Sequence, residues 1–183
     1  MHAPLPYCAS RALAATAIAL AVSACTTEPQ SAADIAELGN MDYEHGMPKS
    51  SPRQLVSTFE SACLDGARDL PSAEAALRSA GFVPLARRPG HPVVFVSDDK
   101  RPAVAISRDG QFCVVAAEAR TGQTAAINAL VAKRFPQAAA VSPQSLDRTV
   151  EQAWQVADGI LFTSRSGAAS YHSQLMLGIW RTP

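Results

Sequence analysis

Between residues 93 and 116 three short apolar runs follow one another with no room for a helix between them. They are Val93–Val94–Phe95–Val96, Ala103–Val104–Ala105–Ile106 and Phe112–Cys113–Val114–Val115–Ala116. Pro92 precedes the first, Ser97–Asp98–Asp99 closes it, and Arg108–Asp109–Gly110 separates the second from the third. Runs of this length rich in β-branched residues read as buried strands. An Asp-Gly pair between two of them is a hairpin signal, because glycine accepts the positive φ that tight turns require. Parallel strands need long crossovers, so local turns point to antiparallel pairing. The chain also carries no GxGxxG and no phosphate-binding loop that would argue for a doubly wound fold.

The flanking segments keep a helical period. Ser51, followed by Pro52 and by Gln54, has the form of a capping box with proline at the first helical position. Leu55, Val56, Phe59, Ala62 and Cys63 then form one stripe, and Gly66 is a stop signal. A second helix is expected from an N-cap at Ser72 through Ala76, Leu77 and Ala80 to Gly81. A third spans roughly Gly122 to Phe135, with Ile127, Leu130, Val131 and Phe135 as its stripe and Pro136 as its end. Strands resume at Val150, Gln152, Trp154 and Val156, which share one parity. Asp158–Gly159 turns into Ile160–Thr163, and Ser166–Gly167 turns into a last strand from about Tyr171 to Trp180. The expected order is helix, helix, three strands, helix, three strands. This is an α+β fold, with a single antiparallel sheet or two abutting three-stranded meanders packed by helices. The two halves share a pattern and no visible sequence identity.

The N-terminus reads differently. Arg11 is the one charge before the apolar run Ala12–Val22, which Ser23–Ala24–Cys25 closes. A basic start, a short apolar core and small residues before a cut site make a secretory signal over residues 1–24. Ala12 to Ala24 is 13 residues, too few for a bilayer core that needs about 20. The ending Val22–Ser23–Ala24–Cys25 resembles the lipobox of bacterial lipoproteins, and the chain as a whole resembles the small envelope lipoproteins of Gram-negative bacteria. The resemblance implies that Cys25 becomes the N-terminus, carries a diacylglyceryl group on its sulfur and is then N-acylated. Two or three acyl chains anchor stably where one does not. Thr26 stands where an Asp would favour the inner membrane, so the family rule points to the outer membrane, facing the periplasm.

Cleavage removes Cys8 and lipidation consumes Cys25, which leaves Cys63 and Cys113 of the four cysteines. In an oxidising compartment these two are expected to pair, closing a loop of about 50 residues worth roughly 4 kcal/mol in the chain-entropy model. The alternative is two buried thiols acting as small hydrophobes. No CxxC and no Cys/His spacing suits zinc, and neither metal nor cofactor is expected.

Residues 25–51 form the lipidated N-terminus and a tether poor in large apolar residues, with only a faint period at Ile35 and Leu38; residues 52–183 form one globular domain. As a flexible coil the tether would hold the domain about 25–30 Å from the lipid. The chain has 16 basic and 16 acidic residues, without the basic footprint that nucleic acid demands.

Candidate chemistry is sparse. His45 lies in the tether and His91 in the turn Arg87–Arg88–Pro89–Gly90–His91–Pro92. His172 sits among Ser164, Ser166, Ser170 and Ser173, with no GxSxG elbow around them. Asp98 and Asp99 are adjacent and so point apart in an extended chain, and Glu118 and Glu151 are isolated. Thr163–Ser164–Arg165–Ser166–Gly167 places one guanidinium amid hydroxyls, where it could meet an anion or a partner. Arg165 and His172 are therefore the binding candidates. Trp154 and Trp180 fit core positions. Two functions follow: a non-catalytic interaction module for an envelope partner, or a cell-wall-directed hydrolase or inhibitor with a site near His172, with His172, Ser170 or Arg165 in an open site. Ligand capture in a groove between sheet and helix is a third reading that the sequence does not separate from the first.

Overall fold

The computed structural model describes residues 36–37, 47–66, 68–85, 89–98, 100–166 and 173–182. Ser51 opens the first helix, α1 (Pro52–Phe59), by accepting the Gln54 N–H on its hydroxyl at 3.2 Å. The reciprocal half of the box is not made: Gln54 Nε2 donates to Thr58 Oγ1 at 3.3 Å instead. α1 runs on into a π-helical turn, Glu60–Leu64, and Leu55, Phe59 and Cys63 all enter the core. The second helix, α2 (Leu70–Ser79), begins earlier than expected, because Asp69 caps it by accepting the Ser72 N–H at 2.9 Å. Pro71 then takes the first-turn position, where a missing N–H costs nothing. The third helix, α3, is Gln123–Arg134, ended by Phe135 and Pro136.

The strands are β1 (Val83–Pro84), β2 (Val93–Val96), β3 (Ala103–Ile106), β4 (Phe112–Glu118), β5 (Ala139–Val141), β6 (Val150–Val156), β7 (Gly159–Ser166) and β8 (Gln174–Arg181). All pair antiparallel in one sheet of order β1-β2-β3-β4-β8-β7-β6-β5. The fold is α+β, but each half has four strands where the sequence suggests three. The two additions are sheet edges with little pattern of their own: β1 contains a proline, which an edge tolerates, and β5 begins with two exposed alanines. Two abutting meanders do form, and β4 against β8 fuses them into a single sheet.

The expected parity of β6 is also broken. A bulge between Val150 and Gln152 puts Val150 opposite Ser164 while Gln152 lies opposite Thr163. Val150 therefore shares a face with Ala153, and Gln152, Trp154 and Val156 share the other. One added residue reverses the side-chain alternation.

One face of the sheet carries the helices. Phe95, Val104, Val115, Leu177 and Leu161 meet Leu55 and Phe59 of α1 and Ile127 of α3 in the main core. The other face is apolar as well. Val94, Ala105, Val114, Gly178, Phe162, Ala153 and Val141 follow one another in register from β2 to β5. Phe162 stacks on Trp180 with ring centroids 4.0 Å apart, and Phe112 lies 5.9 Å from Trp180. Gly178 makes room for this stack: a Cβ there would sit 2.5 Å from Phe162 Cζ.

Candidate functional site

Cys63 and Cys113 form a disulfide that ties the π-helical turn after α1 to β4. The same corner is held by Arg181 at the end of β8, which donates to the Gly110 carbonyl at 2.7 Å and to the Cys63 carbonyl. Burial draws the Arg181 pKa below its ordinary value, the like charge of Arg68 adds to this, and Asp158 opposes it. Asp158 is itself 3.0 Å from Arg68. The corner is thus cross-linked covalently and by hydrogen bonds, a mechanical joint between helix, hairpin and last strand.

Arg165 lies on β7, and its Nε donates to Glu151 Oε1 at 2.8 Å, across the β6 bulge. Its guanidinium is half-buried in that pair. Ser166 donates to Gln174 at 3.2 Å, and the Ser173 carbonyl accepts the Ala119 N–H. Thr163 and Ser164 point to opposite faces and are both buried, and neither hydroxyl has a hydrogen-bond partner; Gln152 Oε1 is a third such atom. His172 and Ser170 lie outside the described residues, as do His45, Arg87, Arg88 and Asp99, the leader with Cys25, and the tether up to residue 46. The structure therefore gives Arg165 a partner, and the pairing of Arg165 with His172 lies outside the described residues. His91 is exposed in its turn. Asp98 accepts the N–H groups of Lys100 and Arg101 and bridges the Arg101 side chain at 3.2 Å. Burial raises its pKa, but these donors and the Arg101 charge outweigh it, and the net direction is down.

Two grooves lie on the helix-bearing face. The first, about 350 Å³, runs between α1 and α2, lined by Thr58, Ser61 and Ala62 on one side and Ala73, Ala76 and Leu77 on the other. Phe82 lies at its end with the Arg101 guanidinium 4.9 Å above the ring centroid. Arg101 also donates to the Ala80 carbonyl at 2.5 Å and to Ser97 Oγ, so it closes the C-terminus of α2, where a cation is favoured. The second groove, about 370 Å³, runs between α3 and β6, lined by Asn128, Val131, Ala132, Phe135, Ala138 and Trp154. Trp154 packs against the core, as its strand pattern suggests, but it remains partly exposed and forms the floor of this groove.

The sequence allows a groove between sheet and helix but names no residues for it, and it locates neither of the two. The available signal for the second was the outer surface of α3, where Thr124, Ala125, Asn128, Ala129 and Ala132 are all exposed and all uncharged. Among the described residues no group of three or more His, Cys, Asp or Glu side chains is placed to hold a metal ion, and no helix is long and apolar enough to cross a membrane. No family model matches the chain, and neither a curated protein nor a solved structure shows detectable similarity to it.

Proposed function

We propose that this chain is a lipid-anchored envelope protein whose domain is a non-catalytic interaction module, held through Cys25 at the periplasmic side of the outer membrane. The anchor rests on Val22–Ser23–Ala24–Cys25 and the apolar run before it. The observation that carries the interaction reading is the second face of the sheet. It is apolar across seven strands and bears none of the helices α1 to α3; Val114, Phe162 and Ala153 at its centre are buried, and the neighbouring row Phe112, Trp180 and Ile160 is left partly exposed. Aromatic side chains at a partly exposed apolar surface are the usual anchors of protein interfaces. The alternative, a cell-wall-directed hydrolase or inhibitor near His172, has less to support it: of its candidates His172, Ser170 or Arg165, Arg165 is paired with Glu151.

The test has two arms. Radiolabelled palmitate should enter the full chain and not Cys25→Ala, and the variant should leave the membrane fraction. A photocrosslinker replacing Ile160 should capture one defined envelope protein, with capture lost on Phe112→Asp. A Cys25→Ala chain that still fractionates with membranes sinks the anchor, and crosslinking that yields no defined partner sinks the module.

A further inference from the structure

The helix-free face of the sheet is not evenly exposed. Along β4, Phe112 is partly exposed, whereas Val114 and Ala116, the next two residues on the same side, are each 5 % exposed. Ala103 on β3 and Ser164 on β7, in the same row as Ala116, are each 2 % exposed. The flanks of this row have apolar neighbours: Leu85 packs with Val96 and Ala103, and Leu146 with Val150 and Phe162. Val114 and Ala116 at its centre belong to none of the three apolar clusters that the described residues form. Side chains on a bare sheet face stand out into water, so their burial calls for a cover.

The chain enters the domain where it can supply one. The Pro48 carbonyl accepts the Glu118 N–H at 2.9 Å, and Pro48 and Ser50 are buried, so the stretch before Met47 starts at the C-terminal end of β4. Val114 lies four residues back along that strand, about 13 Å at the rise of a strand, which four extended residues span. Of the other stretches outside the described residues, the longest are 86–88 and 167–172. The first leaves β1, three strands from β4 and so about 14 Å away, beyond the reach of three residues that must return. The second leaves β7 and returns to β8, where Ser166 pairs with Gln174, and its reach of about 10 Å falls short of Val114. In the stretch before α1, Met41, Tyr43, His45 and Met47 alternate with Asp42, Glu44 and Gly46, the period of a strand with one side apolar. We propose that Met41–Met47 runs extended over the helix-free face, with Met41 and Tyr43 against Val114 and Ala116 and with Asp42 and Glu44 in water. The segment takes the rows nearest Glu118, and Phe112, Ile160 and Trp180 stay open to a partner. This goes beyond the interaction-module reading: it divides the face between the chain's own N-terminal segment and a partner, and shortens the free tether to residues 25–40.

The test places the photocrosslinker p-benzoylphenylalanine at Tyr43 of the full chain, and in a second chain at Asp42. After irradiation, the monomer is digested and the adducts are mapped by mass spectrometry. From position 43 the adducts should join the same chain within residues 103–116 or 174–178, with a yield several times that from position 42. Adducts to a second copy, adducts to another protein, adducts elsewhere in the chain, or equal yields from the two positions overturn the proposal. A second measurement uses Met41→Asp with Tyr43→Asp, which should uncover the apolar rows. Emission of the dye anilinonaphthalenesulfonate should rise and the urea midpoint should fall, with the circular dichroism of the sheet retained. Unchanged emission with an unchanged midpoint also overturns it. Neither readout needs the lipid or an envelope partner, so their failure leaves the anchor and the Ile160 interface standing, and loss of capture at Ile160 leaves the segment in place.

Discussion

Cys63, in the π-helical turn that ends α1, is bonded to Cys113 on β4, and Arg181 donates to the carbonyl of that same Cys63. The bridge spans 50 residues, and a loop of that size restricts the unfolded chain by roughly 4 kcal/mol. Reduction, or Cys63→Ser with Cys113→Ser, should lower the urea midpoint with the m-value raised or unchanged, and should lower Tm by about 10 °C or more, at roughly 3–5 °C per kcal/mol for a domain of this size. Thiol titration of the denatured, unreduced protein should find neither Cys63 nor Cys113 reactive. Two reactive thiols in the mature protein would remove the bridge from the account.

Gly178 answers to Phe162 in the same quantitative way. The ring stands where an alanine methyl would lie, 2.5 Å from it, and Trp180 stacked at 4.0 Å limits how far the ring can retreat. Gly178→Ala should therefore destabilise the domain by about 1–3 kcal/mol, the usual cost of overpacking. The double variant with Phe162→Leu should recover part of that loss. Additive losses in urea unfolding would mean that the ring and the glycine are independent.

Four aspartates report on acid stability. Asp69 is held below its ordinary 3.8 by the Ser72 N–H and hydroxyl, Asp109 by the Ser107 hydroxyl and Gln111 N–H, and Asp147 by the Thr149 N–H and hydroxyl. Asp98 is lowered against its burial by Arg101 and Lys100. A carboxylate whose folded pKa is depressed stabilises the fold above its unfolded value, and this is lost as pH falls through the folded value. The urea midpoint should therefore be level down to about pH 5 and fall below about pH 4. Asp69→Asn keeps an acceptor at the cap and removes the titration, so it should shallow that fall. An unchanged acid slope in the variant would show that Asp69 contributes nothing to it.

How much of this the chain announced depends on the element. The hairpin about Arg108–Asp109–Gly110, the cap at Ser51 and the helices α1 to α3 were legible because each has a local cause: a positive φ, a hydroxyl, a stripe. The pairing of Cys63 with Cys113, 50 residues apart, came instead from setting Cys8 and Cys25 aside. β1 and β5 were not, since Val83–Pro84 and Ala139–Val141 take their strand character from a neighbour's hydrogen bonds. The bulge at Glu151 is tertiary too. The alternation of Val150, Gln152, Trp154 and Val156 fits a regular strand, and only the pairing with β7 shows Val150 turned away. Of the two binding candidates, Arg165 looked available because the sequence could not bring Glu151 to it. The two grooves depend on which helix follows which strand and are invisible until the sheet order is known.

Thr163 offers the sharpest check on the second half of the sheet. It is 2 % exposed, it lies opposite Gln152 and Leu177, and its Oγ1 has no hydrogen-bond partner. On the same face of the sheet Val104, opposite Val115, is aliphatic and fully buried. A buried hydroxyl without a partner costs roughly 1–3 kcal/mol, and replacing it by an apolar group of the same shape removes that cost. Thr163→Val should therefore raise stability by about 1 kcal/mol in urea unfolding, with the fold unchanged by circular dichroism. Ser164→Ala on the opposite face should move in the same direction by less, because the smaller side chain leaves room behind the lost oxygen. A destabilised Thr163→Val would mean that this hydroxyl is satisfied in the folded protein, and would place a hydrogen-bonding group against β6 and β7.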